Sequence, residues 1–221
     1  MELGANFLWA TPLIEARNPD HAKMKEALVR YCYEIERQAK EPIESGVTPR
    51  RKANLYESRF NFFQHPLPEI QVLRQFCGEA LSRAVLKLMY QASGGKTQAT
   101  SIAVDMFESW VHITHDGGYH EIHNHPNCSW CGIYYLEPAD CTVEPPNGIN
   151  RFFSPIDIMY DDPGAEAYPQ KPVSIAPEEG KLLLFPSYVK HLAVPYKGSR
   201  DRIIVSFNSR VSLPNAPTVQ V

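Results

Sequence analysis

The chain has 221 residues, 43% of them hydrophobic, and a formal net charge of -3. That length and apolar content suit one domain with a sizeable core and exclude wholesale disorder. The near-neutral charge, whose densest basic run is Arg50, Arg51 and Lys52, argues against a nucleic-acid binder, and no apolar run reaches membrane-spanning length.

Met1 to Leu13 carries Glu2 and no basic residue before its apolar part, so it does not read as an export signal. A cytoplasmic location follows as the default. Five cysteines, an odd number, argue against a disulfide scaffold. Cys128 and Cys131 have the CxxC spacing, but a structural zinc site needs a second ligand pair. They read as ordinary buried or half-buried thiols among strand formers.

Phe7 to Leu13 reads as a short strand or extended entry. Asn18, Pro19 and Asp20 look like a helix start, and the helix should run from about Asp20 to Lys40. Met24, Leu28, Tyr31, Cys32 and Ile35 recur along it at helical spacing. Glu41 to Pro49 is a turn-rich linker. Asn54 to Phe63 is ambiguous, although its aromatics suggest packing. A second helix is expected over Pro68 to Ala92, with a broad apolar stripe, and Ser93, Gly94 and Gly95 stop it.

After Gly95 the helical periodicity fades. Strands are expected near Ile102–Met106, Trp110–Thr114, Tyr119–His125, Cys131–Leu136, Arg151–Phe153, Val173–Ala176, Lys181–Phe185, His191–Val194 and Arg202–Ser209. Many short strands separated by turns read as a sandwich or barrel. The expected organisation is a single domain: a helical support region over 1–95, a β core over 96–210 and an extended tail over 211–221. Asp161 to Lys171 reads as a loop, and a loop there could cover the mouth of a site.

His123 and His125 are two apart on a predicted strand, so their side chains share a face. His191 follows another strand. Three imidazoles suit Fe(II), Zn(II), Ni(II) or Cu(II), and three protein ligands leave positions for substrate or water. Glu121 shares their parity and is a candidate acceptor for an imidazole N–H or a replacement ligand; His120 falls on the opposite parity. Arg202 comes 11 residues after His191. On a neighbouring strand it could grip a carboxylate, with Ser206 at the same parity adding a hydroxyl. The bland alternatives are polar histidines of a sheet and an arginine paired at the rim.

The segments HNHPNCSWCGIYYL (123–136), GKLLLFPSYVKH (180–191) and RIIVSFN (202–208) resemble the 2-oxoglutarate- and Fe(II)-dependent oxygenases, in a branch frequent in phage and bacterial genomes. The resemblance covers roughly Trp110 to Ser209. It implies a mainly β chain with N-terminal helices and a double-stranded β-helix (a cupin-like jelly roll). It also implies Fe(II) on His123, His125 and His191, and 2-oxoglutarate bound by Arg202 with help from Ser206, Tyr134 or Tyr135. The second ligand position is usually a carboxylate in the wider superfamily, and here it is His125. Trp110, His112, Trp130 and Asn208 are candidate substrate-facing residues.

The implied reaction is dioxygen-dependent hydroxylation of an unactivated C–H bond in a small molecule or peptide. Two alternatives stay open: a three-histidine jelly-roll dioxygenase or isomerase without 2-oxoglutarate, and a non-enzymatic small-molecule-binding jelly roll. A homodimer is an open expectation.

Overall fold

The computed structural model describes residues 10–39, 54–97, 99–156, 163–164 and 171–214. In chain order the elements are β1 (Ile14–Arg17), α1 (His21–Ala39), β2 (Leu55–Glu57), a 3-10 turn (Phe62–Gln64) and α2 (Pro68–Ala92). Eight strands follow: β3 (Ala103–Thr114), β4 (His120–His123), β5 (Trp130–Glu137), β6 (Asn150–Phe152), β7 (Val173–Ile175), β8 (Lys181–Pro186), β9 (His191–Ala193) and β10 (Arg202–Ser212). No helix of the described residues is long and apolar enough to cross a membrane.

The helices start and stop where local chemistry says they should. Asn18 accepts the backbone N–H of Asp20 on its side-chain oxygen at 3.0 Å, just before α1. Pro68 stands in the first turn of α2, where its missing N–H costs nothing. Met24, Leu28 and Cys32 of α1 and Ile70, Leu73, Cys77, Leu81 and Val85 of α2 are buried at helical spacing.

The strands form two antiparallel sheets. The larger runs β1-β8-β5-β10-β3-β2 and the smaller β4-β9-β6-β7. Alternation along β10 explains how two cores arise from one strand. Ile203, Val205 and Phe207 face the helices and join a core with Leu28, Leu73 and Leu81. Ile204 faces the other way and packs with Tyr135 and Phe185 of the large sheet and with Phe152 and Ile175 of the small one. The helices thus back the large sheet, and the small sheet covers its inner face. The architecture is a mixed α/β fold of two helices and two antiparallel sheets.

One sequence expectation needs correction, and two that the sequence left open are resolved. Ile102–Met106 and Trp110–Thr114 are parts of one long strand, β3 (Ala103–Thr114), because Ser109 and Glu108 continue its pairing with β10 and, past an irregularity, Asp105 resumes it. The first strand is Ile14–Arg17, after the expected entry segment, and Phe7 to Trp9 lie outside the described residues. The ambiguous Asn54–Phe63 stretch supplies both β2 and the 3-10 turn, whose Phe62 and Phe63 are fully buried. The expected Glu41–Pro49 linker and most of the Asp161–Lys171 loop lie outside the described residues.

Candidate metal and 2-oxoglutarate site

His123 and His191 face each other across the β4–β9 pair in direct register. His125 follows just past the end of β4, where its backbone N–H donates to Ser187 at 3.1 Å. One ligand atom from each of the three histidines lies within 4.8 Å of the others. The ring centroids stand 4.3 Å apart for His123 and His191, 5.0 Å for His123 and His125, and 5.3 Å for His125 and His191.

Their backbone neighbours settle which nitrogen is available. The Nδ1 of His123 meets the carbonyl of Glu121 at 2.8 Å, and that of His191 meets the carbonyl of Val189 at 3.1 Å. A carbonyl only accepts, so Nδ1 carries the proton in both rings and Nε2 offers its lone pair. Fixing the far nitrogen of a ligand imidazole in this way is the usual support of a metal site. Burial pushes the His191 pKa down to about 2, with the charges of His123, His125 and His120 adding to the effect against the Val189 carbonyl. A neutral, lone-pair-bearing ring is what a divalent ion requires.

Glu121 behaves differently from its expected role. Its side chain is exposed, and its carbonyl rather than its carboxylate orients His123. A bulge explains this. His120 pairs with Ala193 and His123 with His191, so β4 carries one extra residue between them. The strict alternation breaks, and His120 turns to the same side as His123, with ring centroids 4.0 Å apart.

Arg202 opens β10 on the same cavity. It is among the largest fully buried side chains. Its Nη2 donates to Asn150 Oδ1 at 2.7 Å, and its guanidinium carbon lies 5.8 Å from the centre of the Tyr135 ring. Among the described residues these partners are neutral, and the buried Nε has none. A desolvated cation held only by neutral groups is costly until an anion arrives. Ser206 and Asn150 line the cavity with it. The cavity therefore offers three imidazole nitrogens and a buried guanidinium, a donor set that fits a divalent iron and a dicarboxylate.

The remaining sequence candidates divide by strand parity. Tyr135 is on the site side, donating to Asn150 Oδ1 at 2.8 Å. Tyr134 is on the opposite face, with its hydroxyl bound to His21 Nδ1 at 2.8 Å, and it cannot reach the cavity side. Trp130 shares that outward parity and packs on the helix-facing core. Trp110 and His112 line the cavity. Asn208 points inward but lies further along β10, where it donates to Glu108 at 2.7 Å and accepts from Cys131. Cys128 and Cys131 are free thiols 3.7 Å apart. Sequence reasoning did not single out Asn150 and Glu57. His120, in the HEIH run, was assigned to the wrong face.

Residues 108–208 match the family described as "Putative 2OG-Fe(II) oxygenase". No curated protein sequence matches the chain. Among solved structures it is similar to a prolyl-4-hydroxylase of Pseudomonas putida, at 15% identity over 92% of this chain and 95% of that one, with a TM-score of 0.51. It is also similar to AviO1 of Streptomyces viridochromogenes Tue57, at 17% identity over 95% and 93%, with a TM-score of 0.54. A third is SnoK, a non-heme alpha-ketoglutarate-dependent carbocyclase from nogalamycin biosynthesis, at 12% identity over 90% and 79%, with a TM-score of 0.59. At these identities the structures speak to fold alone. The matched residues, a little under half of the chain, span the strands that bear the three histidines and Arg202, and this part of the chain is similar to the 2-oxoglutarate/Fe(II)-dependent oxygenases.

Proposed function

We propose that this chain hydroxylates an unactivated C–H bond of a small organic molecule or peptide. In this reading His123, His125 and His191 hold Fe(II), and Arg202 binds the far carboxylate of 2-oxoglutarate. The observation that carries it is the buried Arg202 guanidinium, held by neutral groups on the cavity that the three histidines share. The two-sheet fold then corresponds to a double-stranded β-helix.

Iron with 2-oxoglutarate, when bound, supplies the oxidising chemistry, coupling dioxygen to loss of carbon dioxide from the co-substrate. The protein's own residues place the parts. Asn150 fixes the guanidinium, and Tyr135 fixes Asn150. Ser206 adds a hydroxyl beside them. The indole of Trp110, 5.7 Å from the His125 ring, walls the cavity where a substrate would approach. The similar folds include a prolyl-4-hydroxylase and a carbocyclase, so the architecture accommodates both peptide and small-molecule chemistry.

A second reading is favoured by the absence of a carboxylate from the three-histidine set: a metal dioxygenase that uses no 2-oxoglutarate. Anaerobic protein loaded with Fe(II) and titrated with 2-oxoglutarate separates the two. Chelation of the keto acid gives a visible charge-transfer band. Iron binding with no band at saturating 2-oxoglutarate would overturn our reading in favour of the second.

A further inference from the structure

We propose that Glu57, His112 and His120 form a second divalent-metal site beside the three-histidine set. It is built from β2 and β3, which the first site does not use, and from β4, which the two share. Glu57 on β2 stands opposite His112 on β3 in direct register, so both side chains leave the sheet on one face. The bulge in β4 brings His120 to them. One ligand atom from each lies within 4.8 Å of the others. Glu57 Oε2 is the common point, 2.7 Å from His112 Nε2 and 3.9 Å from His120 Nε2.

A proton and a metal ion compete for this arrangement. His120 Nδ1 meets the Glu121 carbonyl at 3.1 Å, the same oxygen that orients His123. It therefore carries the hydrogen, and the Nε2 of the neutral ring aims a lone pair towards a carboxylate oxygen. In that neutral form two electron-rich atoms face each other, and either a proton, giving an imidazolium paired with Glu57, or a metal cation relieves the repulsion. His112 poses the same problem more sharply. The indole N–H of Trp110, a donor only, reaches its Nε2 at 3.1 Å, while the Glu57 carboxylate, an acceptor when ionised, reaches the same nitrogen at 2.7 Å. Neither tautomer satisfies both, and a metal ion on Nε2 answers the carboxylate but not the indole N–H. A cation held by Nε2 and Oε2 together uses the imidazole lone pair and the carboxylate charge at once.

The donor set is two imidazoles and one carboxylate, the combination that suits non-haem Fe(II) and its borderline neighbours such as Zn(II). The side chains are only 22%, 8% and 12% exposed for Glu57, His112 and His120, so bulk water does not compete freely. Glu57 also brings the negative charge that the three-histidine set lacks. Two dications on adjoining imidazoles repel, so the second ion should bind more weakly than the first.

The test is metal stoichiometry, independent of turnover. Anaerobic metal-free protein is dialysed to equilibrium against Fe(II), and bound iron is counted by elemental analysis. We expect two ions on the wild-type chain, one on Glu57→Gln and one on His191→Ala. Mössbauer spectra of 57Fe-loaded samples should show two environments, with a different one lost in each variant. Should Glu57→Gln lose its native circular dichroism, His120→Asn takes its place. A single ion on the wild type that is retained with unchanged affinity by Glu57→Gln would overturn the proposal, leaving a hydrogen-bonded triad. A single ion lost with Glu57→Gln and kept by His191→Ala would uphold this site and remove the three-histidine reading instead.

Discussion

Arg202 and Asn150 join β10 to β6 through one hydrogen bond, Nη2 to Oδ1 at 2.7 Å, and that bond is where the two sheets meet at the cavity. It pins a full positive charge to a neutral amide. The arginine is thereby aimed without being neutralised, so in the proposed reading an incoming dicarboxylate would meet a guanidinium already in place.

Arg202→Met should separate binding from folding. Removing one partner of a buried charge pair costs about 2–5 kcal/mol, so 2-oxoglutarate affinity should fall roughly 30-fold to several thousand-fold. Without ligand the same change removes a desolvated charge, and the variant should melt at or above the wild-type temperature. Anaerobic calorimetric titration and thermal melts measure both. A variant that melts well below wild type, or that binds 2-oxoglutarate within threefold of it, contradicts this account.

Asn150→Asp supplies the anion from within. The new carboxylate would stand at hydrogen-bond distance from Arg202 and still accept from Tyr135, whose phenol burial holds protonated against the pull of Arg202. The unliganded protein should gain stability, and 2-oxoglutarate should bind at least tenfold more weakly, because the guanidinium is already paired. Unchanged 2-oxoglutarate affinity would mean that Arg202 does not receive it.

Most of this site could be read from the chain because its parts obey simple periods. Pro68 and the Ser93–Gly95 run bounded α2 correctly. His123 and His125 do meet, although β4 ends at His123 and not at His125 as the two-residue period implied, and His191 and Arg202 line the same cavity. What escaped depended on departures from period. The bulge between His120 and His123 is invisible in HEIH, since an extra residue changes facing without changing composition. Glu57 lay in a stretch with no clear period, and its place opposite His112 is set by pairing with β3. The choice between Tyr134 and Tyr135 turned on which face the helices cover, and periodicity alone does not supply that.

Gly132 tests how tightly the two central strands are packed. It stands opposite Phe207 across the β5–β10 pair, and a Cβ there would lie 2.2 Å from two carbons of the Phe207 ring. That ring is also packed 5.8 Å, centre to centre, from Phe63. Gly132→Ala should therefore destabilise the fold by about 1–3 kcal/mol, the usual cost of overpacking a filled core. Adding Phe207→Leu should recover part of the loss. Urea unfolding of the three proteins measures it, and a single variant as stable as wild type would refute the contact.

His115 should make stability depend on pH in a stated direction. Its Nδ1 lies 2.8 Å from Asp201 and its Nε2 2.8 Å from Glu36. Both partners are carboxylates, so both ring nitrogens serve as donors in the charged form. Burial alone would lower the His115 pKa; the hydrogen bonds and charges of Asp201 and Glu36 outweigh it and raise the value above the ordinary 6.5. A raised folded-state pKa means the native chain holds this proton more tightly than the unfolded chain. The contribution is then fully present below pH 6.5 and is lost as pH rises through the folded value. The linkage ties the end of α1 to the residue before Arg202. His115→Gln should cost about 1 kcal/mol at pH 6, at the lower end of that range because the ring is partly exposed and screened. At pH 9 the cost should shrink towards zero. Taking the wild-type-minus-variant difference in urea midpoint at each pH cancels the other titrating groups. A difference that stays constant, or grows from pH 6 to pH 9, would show that the imidazole is not held in its charged form.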